Sequence, residues 1–346
     1  MGSEAPSNMA AVLPTAKAHP LVTKAADVPR ATDGEIVVKV EAIAINPMDW
    51  LIQDMGPDLF PFLQYPYIGG TDVAGQVTEV GSGNNLTGIK VGDRVLGLTL
   101  GLTSNDPREG AFQQYVVLKS HMASIIPPAL PSTDAAVLPL GIATAAAALY
   151  QKDYLGLVLP SLSPEPRGET LLIWAGSSSV GSNAIQLAVA SGYEVITTSS
   201  PRNFGFCKEL GASHVFDYSS ASLTEDLVAA FKGKQIAGAF ALLPGSAEPC
   251  LEVVHKSEGA KFVAMCLPYD GKLPHDVKTK FVFATSIKDN EVSKIIFSSY
   301  LPRALEQGRY RCAPAPSVVG AGLEVLQKGM DQQKQGVSAK KLVVTL

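Results

Sequence analysis

Between Ala11 and roughly Pro128, apolar and polar positions alternate in short runs separated by Gly, Pro and Asn turns. Glu35-Ile-Val-Val-Lys-Val-Glu-Ala-Ile-Ala-Ile, Asp72–Val80, Val91–Gly97 and Gly110–Val117 each read as a strand. Short strands, regular turns and little helix predict a compact, barrel-like β domain. Residues up to about Ala10 carry no such pattern and are expected to be loose. At Ser132 the texture changes. Ser132-Thr-Asp-Ala starts a helix, and Gly141-Ile-Ala-Thr-Ala-Ala-Ala-Ala-Leu-Tyr is built almost wholly of helix formers. A proline-rich surface loop, Ser161–Gly168, follows. Beyond it strands and helices alternate in an α/β rhythm: a helix at Phe204–Leu210, a strand at Gly211–Tyr218 and a helix at Ser222–Phe231. Further strands are expected at Ala237–Leu243 and Lys261–Cys266. Lys341–Leu346 reads as a closing strand that returns to the first domain.

Glu169–Asn203 carries the most chemistry. A buried strand, Leu171–Trp174, runs into the small turn Ala175-Gly-Ser-Ser-Ser-Val-Gly181, then a helix ended by Gly192 and a second strand from Tyr193. Strand, glycine/serine turn, helix and strand make a βαβ unit of dinucleotide-binding length, although Ala175 takes the place of the first fingerprint glycine. Free N–H groups and the positive dipole end of the helix would face a pyrophosphate there. The second strand ends Thr197-Thr-Ser-Ser-Pro-Arg-Asn203, without Asp or Glu. An acid at that point suits the ribose hydroxyl of NAD, whereas hydroxyls and an arginine suit the 2′-phosphate of NADP. NADPH is the expected cofactor; the competing reading of Arg202 is the first residue of a solvated helix.

Composition narrows the setting. The chain has 346 residues, 46% hydrophobic and 17% charged, enough for two well-buried domains. A formal charge of −4 and the lack of a basic run give no reason to expect nucleic acid or an anionic membrane as partner. No uninterrupted apolar stretch of about 18 residues and no signal-peptide pattern are evident, so a cytoplasmic location is expected. Cys207, Cys250, Cys266 and Cys312 are scattered, form no C-x-x-C and are assigned no chemistry.

EAIAINPMDW, GGTDVAGQVTEVG, VGDRV, GAFQQYVV, GIATAAAAL, AGSSSVG and a final KKLVV occur in that order. This series resembles the medium-chain dehydrogenase/reductase superfamily over nearly the whole chain. It is most similar to the zinc-free branch: quinone oxidoreductases and, closer, fungal trans-acting enoyl reductases of polyketide biosynthesis, whose cofactor region SSPRNF and GASHVFDY resemble. The resemblance implies an α/β protein with a GroES-like β-barrel catalytic domain, residues 1–145 and 305–346, and a Rossmann NADPH-binding domain, a doubly wound parallel sheet, at 146–304. It implies pyrophosphate contacts at Ser177, Ser178, Ser179 and Val180 and 2′-phosphate contacts at Ser200, Arg202, Asn203 and Tyr218. Met265 and Cys266 would lie near the nicotinamide, and Lys340 close to the cofactor.

No metal is expected. Zinc-dependent members carry a cysteine in the loop where this chain has Asn46-Pro47-Met48-Asp49, and a Gly-His-Glu motif where it has Gly70-Thr71-Asp72. Residues 100–110 hold no cysteine for a structural zinc lobe. Thr144 matches the enoyl reductases' active-site threonine, its alternative being a helix threonine bonded to the preceding turn. Met48, Trp50 and Leu51 would line the substrate pocket, Trp50 being equally readable as core. Leu51 departs from a lysine usual in that group. The implied activity is NADPH-dependent reduction of an activated C=C bond, enoyl or enone, in secondary metabolism. Quinone reduction, or a family member with lost or non-redox activity, are the alternatives. The expected partner is a small-molecule or carrier-protein-bound acyl substrate, with a polyketide synthase as possible supplier, and the expected state is monomer or homodimer.

Overall fold

The alternating stretch at 35–45 becomes the strand Glu35–Ala44, the hub of a seven-stranded sheet. The computed structural model describes residues 7–82 and 87–346. By its contacts the chain divides into two units: residues 1–140, 297–307 and 315–346, and residues 141–296 and 308–314. In the first unit Glu35–Ala44 pairs antiparallel with Asp72–Val80, with Tyr115–Lys119 and with the C-terminal strand Lys340–Thr345. Tyr115–Lys119 takes Glu35–Lys39 and the C-terminal strand takes Ala42–Ala44, which is how one strand serves three neighbours, while register shifts at Val37/Val38 and Val40/Ala42 bend it against Asp72–Val80. Ile36, Val38, Ile43, Val73, Val95, Phe112, Leu118 and Val344 fill the core behind it. The chain end does return to this unit, as its apolar run requires.

Two expectations for this unit are corrected. Asn8–Leu13 is a strand rather than a loose end, because Ala10–Leu13 are buried and pair with Val22–Ala26; residues 1–6 of that expectation lie outside the described residues. Asn46–Asp49 is not a loop but the start of the helix Pro47–Met55. Asn46 at the cap, Pro47 at the first position and Asp49 at the third form a capping box, with the Asp49 carboxylate accepting from Asn46 N–H at 2.7 Å.

The second unit holds a fully parallel sheet in the order His214–Asp217, Glu194–Ser199, Glu169–Ile173, Gln235–Ala241, Phe262–Met265, Lys278–Phe281. Counted from Glu169–Ile173 this is 3-2-1-4-5-6, the doubly wound order whose reversal point lies beside the first strand. Leu171, Leu172, Ile173, Val195, Ile196 and Phe240 are fully buried, as strands covered on both faces must be. The helix Pro139–Tyr150 belongs with this unit from Gly141 onward, five residues earlier than the expected cut after 145. The reason is its packing: a Cβ on Gly141 would lie 2.7 Å from Asn183 Nδ2 and 2.8 Å from Ser179 Oγ. The later boundary also differs, since 308–314 stay with the second unit, where Tyr310 donates to Asn183 and Arg311 N–H to Gln186. The stretch Ser132–Tyr150 reaches membrane-spanning length and hydropathy although Asp134 interrupts it, and 78% of its apolar window is buried inside the protein.

Candidate active site

In the second unit the turn after Glu169–Ile173 is shaped for close approach. Ala175, where the fingerprint has glycine, holds φ at 57°, a conformation that costs an alanine about 1–2 kcal/mol. Its N–H donates to Thr198 Oγ1 at 3.0 Å, and Gly176 N–H to Thr198 O at 2.9 Å, which lock the turn onto the second strand. A Cβ on Gly181 would fall 2.2 Å from Ala175 O, so only glycine lets the helix Ser179–Ala190 begin this close. Ser178 caps that helix, its Oγ accepting from Gly181 N–H at 3.0 Å. The N–H groups of Ser179 and Val180 have no intrahelical acceptor, as at any helix start. Ser179 Oγ is buried without a partner.

The strand ends beside this turn complete a polar rim. Ser199 Oγ donates to Ser177 Oγ at 2.8 Å, and Asn203 Nδ2 reaches Ser177 Oγ at 3.4 Å and Ser200 Oγ at 3.5 Å. Tyr218, 54% exposed, hangs from the end of the next strand, with its N–H on Ser199 O. Arg202 is exposed and forms no hydrogen bond or ion pair among the described residues. The nearest strand-end carboxylate, Asp217, pairs in register with Ser199 but accepts from Ser219 N–H and Oγ–H of its own turn. Met265 and Cys266 stand at the same carboxyl edge of the sheet, two strands from the glycine turn, and burial pushes the Cys266 thiol up to about 12. Thr144, almost fully buried, lies three residues after Gly141 on the helix packed against Ser179.

The first unit contains a different cluster. Lys341 Nζ lies 2.9 Å from Asp72 Oδ2 and donates to Asn46 Oδ1. Asn46 Nδ2 donates to Thr71 Oγ1 and Asp72 Oδ2, both at 3.0 Å, and Asp72 Oδ1 accepts from Leu140 N–H at 2.6 Å. Asn46, Asp49, Thr71, Asp72 and Lys341 are all buried. Burial and the neighbouring Asp72 charge push the Asp49 carboxyl up to about 7, against the pull of Asn46 N–H and Lys341.

Family models for the alcohol dehydrogenase GroES-like domain and for zinc-binding dehydrogenases match residues 32–128 and 179–297. The chain is similar to the dehydrogenase azaJ of Aspergillus niger, 52% identical and covering 99% of both chains. It is 38% identical to the trans-enoyl reductase himH of Aspergillus japonicus over 98% of this chain and 97% of the relative. The chain belongs to the medium-chain dehydrogenase/reductase superfamily. Its fold is shared with mycobacterial Rv1454c, solved complexed with NADPH, at a TM-score of 0.71 and 22% identity over 98% of this chain and all of that one.

Members of this superfamily bind a nicotinamide cofactor, and the glycine turn fits one. A cradle that a Cβ would fill, free N–H groups at a helix start and the orphan Ser179 hydroxyl are the groups a pyrophosphate needs. Zinc does not fit the superfamily's ligand positions here. Met48 sits on a helix, half-buried against an apolar cluster, Thr71 offers a hydroxyl already engaged by Asn46, and the Asp72 carboxylate already holds an ammonium.

The expected pocket residues do not share one face. Met48 and Leu51, one helical turn apart, both pack against Leu13, Ile52, Phe60, Leu63 and Tyr67. Trp50 turns instead to the main core, under Lys334 Nζ at 5.9 Å from its ring centre. Lys340 is exposed at the start of its strand, and its neighbour Lys341 is the buried one, which sequence reasoning passed over. The available signal was a lysine set directly against Leu342-Val343-Val344 inside the closing strand. Asp49 was signalled by the Asn46-Pro47-x-Asp49 capping pattern.

Proposed function

We propose that this reductase uses NADPH to reduce an activated carbon–carbon double bond, enoyl or enone, in a small or carrier-bound acyl substrate, without a metal. The observation that carries the reading is the strand end at Ser199–Asn203, lined by hydroxyls, an amide and an exposed guanidinium, with no Asp or Glu of its own and the neighbouring Asp217 turned through Oδ1 to Ser219. The name of the relative himH supports the enoyl class. Ser179 and Val180 hold the pyrophosphate through backbone N–H groups, beside the Ser177 and Ser178 hydroxyls, while Ser200, Asn203, Tyr218 and Arg202 grip the 2′-phosphate, Arg202 as a bidentate donor. Met265 and Cys266, at the carboxyl edge of the same sheet, would hold the nicotinamide. The bound cofactor supplies the hydride, delivered to the β-carbon. Thr144 Oγ–H donates to the substrate oxygen on which negative charge develops, and the α-carbon takes its proton from solvent. A polyketide synthase is the proposed source of the acyl group.

The test follows NADPH oxidation with an α,β-unsaturated acyl thioester, an enone and a quinone in the parent, Thr144→Ala and Leu51→Lys proteins. Turnover of the thioester or enone is expected, falling up to ~10²-fold in Thr144→Ala. Leu51→Lys should not raise it, because the ammonium would be pressed against the Leu13–Tyr67 cluster. Turnover of quinone alone would replace this reading with quinone reduction. An inert parent revived by Leu51→Lys would mean an activity lost with the lysine.

A further inference from the structure

We propose that His255, His275 and Asp276 form a surface site for one zinc-class divalent cation, separate from the superfamily's ligand positions. Their donor atoms lie within 4.8 Å of one another, although 20 residues of chain separate the two histidines, with Asp276 one residue further. His255 Nδ1 is 2.6 Å from Asp276 Oδ1, and the two imidazoles meet edge to face with centroids 5.6 Å apart. His255 sits in the last turn of the helix Ala247–Lys256, while His275 and Asp276 come from the segment leading into the strand Lys278–Phe281. A His–Asp hydrogen bond alone does not call for the second imidazole, yet His275 forms no hydrogen bond among the described residues and keeps both ring nitrogens available.

The donor chemistry selects the ion. Two imidazoles and one carboxylate suit Zn²⁺, Ni²⁺ or Cu²⁺, whereas Mg²⁺ and Ca²⁺ prefer oxygen. Zinc bonds of about 2.0–2.2 Å bring tetrahedral donors to about 3.3 Å apart, so partly exposed side chains need only small rotations to converge, and water completes the fourth position. The helix end already attracts a cation: Lys261 Nζ binds the carbonyls of Val254 and His255 at 2.9 Å, and that of Ser257. That ammonium lies 3.6 Å from Asp276 Oδ2, which leaves Oδ1 to the metal and moderates the affinity by repulsion. Bound there, the ion clips the segment before Lys278–Phe281 to the end of the Ala247–Lys256 helix.

Calorimetric titration of the full chain with zinc chloride at neutral pH, with cobalt(II) absorbance as a second readout, tests the site. One zinc per chain is expected. His275→Ala and Asp276→Asn should each weaken zinc more than the ~10–100-fold typical of losing a mere second-shell partner. The exposed His214→Ala control should leave it unchanged. No binding by the parent, or equal binding by His275→Ala, overturns the proposal. Thermal unfolding without zinc verifies that the variants are folded, so a loss of binding cannot be a loss of structure.

Discussion

Asp72 and Ser179 Oγ are both out of water, but their surroundings differ in kind. Asp72, in the first unit, meets an ammonium, an amide and a backbone N–H, so each carboxylate oxygen is answered from within the protein. The Ser179 hydroxyl, in the second, meets nothing, the helix start that carries it has free N–H groups, and Arg202 at the end of the second strand is uncommitted. Around Asp72 the first cluster is complete without a ligand, so its energy goes into holding the capped helix, the loop and the closing strand together. The second leaves polar groups unanswered, a cost of about 1–3 kcal/mol for each buried one, which a phosphate-bearing ligand removes. Closure marks a structural centre; incompleteness marks a binding one.

The largest way to break this contrast is Lys341→Met. It keeps volume but leaves Asp72 buried without its counter-charge, and a loss of ~3–5 kcal/mol in urea unfolding is expected. A loss below ~1 kcal/mol would mean that the cluster does not organise the unit.

Asp49 sharpens the contrast, since Asp49 Oδ1 is the one carboxylate oxygen in the cluster left without a partner. Its folded value of about 7 lies above the ordinary aspartate value of 3.8. Between those limits the folded state holds a proton that the unfolded chain has released. This contribution to stability is therefore full below about pH 4, falls as pH rises towards 7, and is flat above. The total decline is on the order of 4 kcal/mol. Asp49→Asn keeps an acceptor for Asn46 N–H and should flatten that slope between pH 4.5 and 7.5, read as Tm against pH; an unchanged slope removes Asp49 as its source.

At the open centre, Arg202→Ala should weaken NADPH by ~1.5–3 kcal/mol, roughly 10–100-fold, and leave NADH nearly untouched. Fluorescence titration with both cofactors reads this. Equal affinities for the two in the parent protein would end the 2′-phosphate assignment.

Much of the second unit was legible because its information is local. Leu171–Trp174, the small-residue turn and the helix to Gly192 lie within one βαβ stretch, and each element follows from its own run of residues. The rim at Ser177, Ser199 and Asn203 joins two neighbouring strand ends of the same stretch. The closed cluster was not legible as a unit, because Asn46, Asp72 and Lys341 meet only through the sheet. Lys340 and Lys341 look alike in sequence; pleating and burial alone separate the exposed one from the paired one. His255 and His275 escaped for the same reason, being neighbours only once the sheet has formed.

The bond between Asn46 and Lys341 spans 295 residues. At ribosomal speeds of about 5–20 residues per second, Asn46 and Asp72 wait roughly 15–60 s before their cation is made. The parallel sheet, drawn from residues 169–281, is by then entirely synthesised and free to assemble. The first unit begins earlier yet is finished by the last strand of the chain. A nascent chain stalled before Lys340 would therefore carry a folded second unit and a first unit with an open sheet edge and an unneutralised acid, the state in which chaperone capture or aggregation competes with completion.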